Sequence, residues 1–155
     1  MKILVLAALV LAPLMGIAGD IAPREGWVVK DTAKPYAALL DDLRTAIKDN
    51  KMGLVTEAGP TEAARKRGFD IPGNRVLGVY RNDFAVSALE ASRAAMIEAP
   101  IRFYVTENPD GTATLSYKTP GFVFAPYADE GGAALAAVAS ELDKIFAAIA
   151  EQAAQ

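Results

Sequence analysis

The chain has 155 residues, and none of them is cysteine or histidine. Without cysteine there is no disulfide, no thiolate nucleophile and no thiolate-bound metal, so the fold must be held by its core. Without histidine the commonest general base and the commonest transition-metal ligand are both missing, which excludes Ser-His-Asp hydrolysis and histidine-ligated zinc, copper or haem. Positive charge is also in short supply. Sixteen Lys and Arg stand against nineteen Asp and Glu, for a net charge of −3, so broad electrostatic association with nucleic acid is not expected. The carboxylate pairs Asp41-Asp42 and Asp129-Glu130 are no substitute metal site, because adjacent helical residues diverge by about 100° and do not converge on one ion. Gly53, Gly59, Gly68, Gly73 and Gly78 form no phosphate-cradling pattern, and the basic run Arg65-Lys66-Arg67 reads as a solvated face at the end of a short helix. No cofactor, no metal and no catalytic residue is assigned.

The longest apolar run opens the chain. Met1-Lys2 forms a minimal positive region, Ile3 to Met15 is apolar, and Gly16-Ile17-Ala18 has the small residues that signal peptidase accepts. Residues 1–18 therefore read as a signal peptide and 19–155 as a single domain of roughly 137 residues, enough to bury a core. The run is shorter than the roughly 20 residues that span a bilayer and contains Pro13 and Gly16, so no stable membrane span is expected after cleavage. The expected address is periplasmic or secreted.

Periodicity gives the architecture. Ile101, Phe103 and Val105 alternate with Arg102, Tyr104 and Thr106, and Ala113, Leu115 and Tyr117 alternate with Thr112, Thr114, Ser116 and Lys118. Between them Asn108-Pro109-Asp110-Gly111 supplies a preset φ and then a positive one, as in a type I turn closed through a bulge. The whole stretch from Ala99 to Phe124 reads as a hairpin, ended or bent by Pro120 and Gly121. Further strands are expected at Trp27-Val28-Val29, Met52 to Thr56 and Arg75 to Tyr80. Tyr36, Leu39, Leu40, Leu43, Ala46 and Ile47 mark an amphipathic helix opened by Pro35. Thr61 to Arg67 is a short helix ended by Gly68, and a helical stretch capped at Asn82-Asp83 breaks near Ser92. Leu135, Val138, Leu142, Ile145, Phe146 and Ile149 mark a long C-terminal helix. The class is α+β, an antiparallel sheet of about five strands with helices packed on one face.

Ala63-Ala64 and Gly68, Val76-Leu77-Gly78, the run Ala94 to Arg102, Asp110-Gly111 and the run Leu115 to Pro120 together resemble the domain of unknown function 302 family, over nearly all of the chain after residue 18. The resemblance implies a TATA-binding-protein-like β-α-β4-α fold and, in some members, homodimers; no settled activity comes with it. Two features depart from the pattern. Tyr80-Arg81-Asn82-Asp83 stands where members often have a Gly-Asn-Pro-like turn, and Pro60-Thr61 stands where some have a histidine.

Candidate functional residues lie on the polar face of the hairpin: Arg102, Tyr104, Thr114, Ser116 and Lys118, joined by Tyr80 and Arg81. Phenols beside cations suit a small anionic or planar ligand, a dimer interface or an ordinary solvated face. A second place for an apolar ligand is a cleft between helix and sheet lined by Leu39, Leu43, Ile47, Phe103, Leu115, Leu142 and Phe146. The function this supports is an exported, non-catalytic small-ligand-binding or interaction module, homodimeric. The alternative is an enzyme using Tyr, Lys or carboxylate acid-base chemistry. Expression with the native N-terminus in a Gram-negative host should give a periplasmic species whose N-terminal sequence begins near Gly19; a full-length, membrane-retained product would contradict the export reading.

Overall fold

The computed structural model describes residues 21–155, so the signal peptide expected over residues 1–18 lies outside the described residues. Strand β1 (Trp27–Pro35) runs into helix α1 (Tyr36–Asp49), and the chain returns as β2 (Gly53–Ala58), short helix α2 (Thr61–Lys66) and β3 (Asn74–Tyr80). Helix α3 (Asn82–Ala91) and a 3-10 turn (Ala94–Glu98) lead to the hairpin of β4 (Ile101–Glu107) and β5 (Thr112–Lys118). A short helix α4 (Pro120–Phe124), a second 3-10 turn (Ala125–Tyr127) and the long helix α5 (Ala128–Ala154) complete the chain. The sheet is antiparallel throughout, in the order β1-β5-β4-β3-β2. Among the described residues no helix is long and apolar enough to cross a membrane.

One face of this sheet carries the core. Leu77, Val79, Phe103, Val105, Ala113 and Leu115 are buried on it, and Leu39, Leu43 and Ile47 of α1 with Leu142, Phe146 and Ile149 of α5 close over them. The Phe103 and Phe146 rings stack 4.6 Å apart at 16°, and Tyr117 meets Phe103 edge-on at 5.1 Å. Such pairs add to the transfer free energy of burying the rings. The cleft expected between helix and sheet is thus filled: every side chain named for it is 5% exposed or less. It is the interior of the molecule, and the space that Leu142 and Phe146 border toward α3 is only about 30 Å³.

The hairpin turn forms as its chemistry dictates. Asn108 and Gly111 close it, the Gly111 N–H donating to the Asn108 carbonyl at 2.9 Å, and Gly111 takes φ +84°, a region open to glycine at no steric cost. The hairpin does not extend to Phe124, however. Residues 120–124 are helix α4, because the Thr119 hydroxyl accepts from the Phe122 N–H and Pro120 occupies the first turn, a cap with a preset φ that starts a helix where a strand end was expected. Asn82 and Asp83 likewise fall inside α3 rather than capping it; Arg81 is the N-cap and makes no side-chain cap bond. The break near Ser92 is as expected, Ser92 being extended between α3 and the 3-10 turn.

The exposed edge, β2, is held by charge. Arg44 of α1 grips Glu57 through two nitrogens, one of them Nε at 3.2 Å from Oε2, and Arg75 of β3 pairs with both Glu57 and Glu62. The Arg44 bond holds the Glu57 carboxyl below the ordinary carboxylate range. An inward-turned acid also discourages edge-to-edge pairing with another sheet.

Since Phe146 is the ring on which both sheet aromatics pack, Phe146→Ala should cost about 3–5 kcal/mol in urea unfolding. A loss below about 1 kcal/mol would show that this stack does not close the core.

Candidate functional site

Alternation that sends Phe103, Val105 and Leu115 into the core sends their neighbours to the opposite face, which no long helix among the described residues covers. Register arranges that face in rows. Trp27 pairs with Lys118, and Arg102 pairs with Gly78; Arg102 and Lys118 each lie one residue beyond the Phe103–Tyr117 pair, so the row runs Trp27, Lys118, Arg102, Gly78. The next runs Val29, Ser116, Tyr104, Val76, and the third Asp31, Thr114, Thr106, Asn74. At the end of the first row the chain turns back through α4 and its following 3-10 turn. Phe122, Val123 and Pro126 of that segment, with Glu98, wall a groove of about 470 Å³ whose floor includes Trp27, Val76, Arg102, Tyr104 and Lys118.

Several contacts shape the groove. Asn74 Nδ2 donates to the Tyr104 phenol at 2.7 Å and fixes its ring over the second row. The Trp27 ring has Arg24 5.1 Å and Lys118 5.8 Å from its centroid, cation–π distances. Gly26, with φ +70°, packs so closely on Phe122 that a Cβ there would fall about 2 Å from the ring, and this close approach sets α4 against the start of β1. Phe122 is still 40% exposed. Glu98 accepts a hydrogen bond from the Tyr127 phenol at 2.9 Å, and that bond raises the Tyr127 ionisation above the ordinary phenol range.

Of the residues singled out from sequence, Arg102, Tyr104, Ser116 and Lys118 share this face, and Arg102, Tyr104 and Lys118 line the groove itself. Ser116 and Thr114 are fully buried rather than outward and solvated. They are short side chains in the middle of the sheet, between Val29 and Tyr104 or between Asp31 and Thr106. The Thr114 hydroxyl donates to Asp31 Oδ1 at 2.7 Å, whereas the Thr106 and Ser116 hydroxyls have no partner among the described residues. Tyr80 and Arg81 are placed elsewhere. They border a smaller cleft with Phe84 and Met96, where Arg81 pairs with Asp83 at 2.8 Å and lies 4.1 Å over the Phe84 ring. Strand β3 ends at Tyr80, and Arg81 turns away with α3.

Sequence reasoning missed Trp27, Phe122 and Glu98. Trp27 reaches the groove only because β1 pairs with β5, a contact between residues about ninety positions apart that no local pattern encodes. The Thr119-Pro120 cap was the one available signal for the segment that carries Phe122.

Among the described residues the displaced carboxyls are Glu57, Asp83 and Asp110. All three are lowered, chiefly by bonds from Arg44, Arg81 and Thr112 respectively, and none lines the groove. Carboxyls held ionised in this way are poor general acids. The groove offers apolar and aromatic walls, two cations and one acid, a set suited to holding a small molecule.

A family model described as Domain of unknown function DUF302 matches residues 28–149. The crystal structure of an uncharacterized conserved protein DUF302 from Bacillus stearothermophilus superposes with a TM-score of 0.72 at 18% identity, over 83% of this chain and 98% of that one. At that identity the likeness is one of fold. No curated protein matches the chain.

Proposed function

The chain belongs to the DUF302 family, whose description carries no activity, and from that premise we propose that it is a non-catalytic binding protein that holds a small, flat, largely apolar molecule in the open-face groove. The observation that supports this reading is the convergence of Trp27, Tyr104 and Phe122 with Val76, Val123 and Pro126 around about 470 Å³. That volume is within the roughly 300–1,000 Å³ of small-molecule sites. Rings held by sheet register and by the Asn74 bond are already in place before a ligand arrives, which lowers the cost of ordering them on binding. The reading includes export, so that the ligand would be met in the periplasm or outside the cell.

Trp27 is the only tryptophan in the chain, which makes the groove self-reporting. N-phenyl-1-naphthylamine, a neutral flat probe, should quench Trp27 emission by energy transfer on saturable binding. Tyr104→Ala should weaken that binding by about tenfold, the value of one lost aromatic contact. Unchanged Trp27 emission across the titration would contradict the proposal. So would a dimer by light scattering that Tyr104→Glu splits into monomers, since the face would then be a seam between two copies.

A further inference from the structure

The apolar lining explains why a flat molecule would enter the groove, but it leaves its two cations without a purpose. Arg102 and Lys118 are neighbours across β4 and β5 on the floor. Arg102 makes no hydrogen bond or ion pair among the described residues, and the contact of Lys118 is with the Trp27 ring, not with an acid. Like charges side by side across strands destabilise a sheet. Elsewhere the cations of this sheet are paired: Lys30 with Glu151, Lys34 with Asp42, Arg75 with Glu57 and Glu62. In a chain with more acids than bases, two adjacent cations left without a carboxylate partner at the floor of an aromatic groove constitute a local excess of positive charge, reinforced by Arg24 beside Trp27.

Resting on the reading of this groove as a small-molecule site, we infer that its ligand is an amphipathic monoanion: a carboxylate or equivalent oxyanion held by Arg102 and Lys118, with an aromatic or apolar body against Trp27, Tyr104 and Phe122. Arg102 presents a planar fork that matches a carboxylate, and Lys118 adds a point charge. Glu98, the one acid among the lining residues, opposes additional negative charge, which selects a singly charged group over phosphate. The apolar walls select against a small inorganic ion, which would leave them wet.

Calorimetric titration of the purified protein with 2-naphthoate and with 2-naphthamide, equal in shape and different in charge, isolates the anionic contribution. Naphthoate should bind at least about tenfold more tightly, the worth of one charge-assisted hydrogen bond. Millimolar inorganic phosphate should not displace it. In Arg102→Gln/Lys118→Gln the preference should fall to less than about threefold, while N-phenyl-1-naphthylamine still quenches Trp27. The urea midpoint of that variant should stay close to the parent's, because a repulsion and the exposed Lys118–Trp27 contact are lost together. Equal binding of the two probes, or displacement of naphthoate by phosphate, would overturn the monoanion inference while quenching by the neutral probe left the groove standing. Failure of all three organic probes to bind would overturn both.

Discussion

Five antiparallel strands offer two faces, and in this molecule α1, α3 and α5 are spent on one of them. That asymmetry governs everything else. Because side chains alternate strictly along a strand, each residue placed in the core commits its neighbours to the opposite face, which no long helix among the described residues covers. Phe103 stacked on Phe146 therefore places Arg102 and Tyr104 in the open, and Leu115 and Tyr117 do the same for Lys118. The stack that closes the core and the groove that lies on its reverse are two consequences of one register.

A sheet face without helices is usually left to water. Here the segment after β5 prevents that along one end, because Thr119 caps α4 and Gly26 lets Phe122 lie against the start of β1. A floor of alternating strand residues becomes a walled groove. Rings and apolar side chains line most of the groove and both cations lie on its floor, so the energetics divide: burial of ring surface would supply affinity, and the Arg102–Lys118 pair would choose among ligands by charge.

Much of the fold is legible in the sequence. The hairpin announced itself, since period-two alternation over Ile101 to Thr106 and over Thr112 to Lys118 agreed with a turn that needs Pro109 and Gly111 where they stand. The long C-terminal helix followed from apolar residues three and four apart, Leu135 to Ile149. Membership in the DUF302 family, met first as a likeness in scattered short runs, agrees with both. What local patterns left unread is the company the open face keeps. Strand order is a matter of contacts distant in sequence, so that Trp27 beside Lys118 could not be inferred from either residue's neighbours. Helix α4 reads as the tail of a strand in the sequence because its five residues are too few to show a period. Tyr80 and Arg81 share the hairpin's chemistry but not its place, because β3 meets the groove at Asn74 and Val76 and has left it by Tyr80.

On the proposed reading the open face, and not the helix-covered side or the β2 edge, would meet the ligand. Backbone amide shifts of the isotopically labelled protein, mapped while it is titrated with 2-naphthoate, distinguish these faces. Saturable changes should concentrate at Trp27, Val76, Arg102, Tyr104 and Lys118 and along residues 119–126, with β2 and the exposed side of α1 unmoved. Shifts centred on α5 or on Gly53–Ala58, or no saturable shifts at all, would contradict that reading.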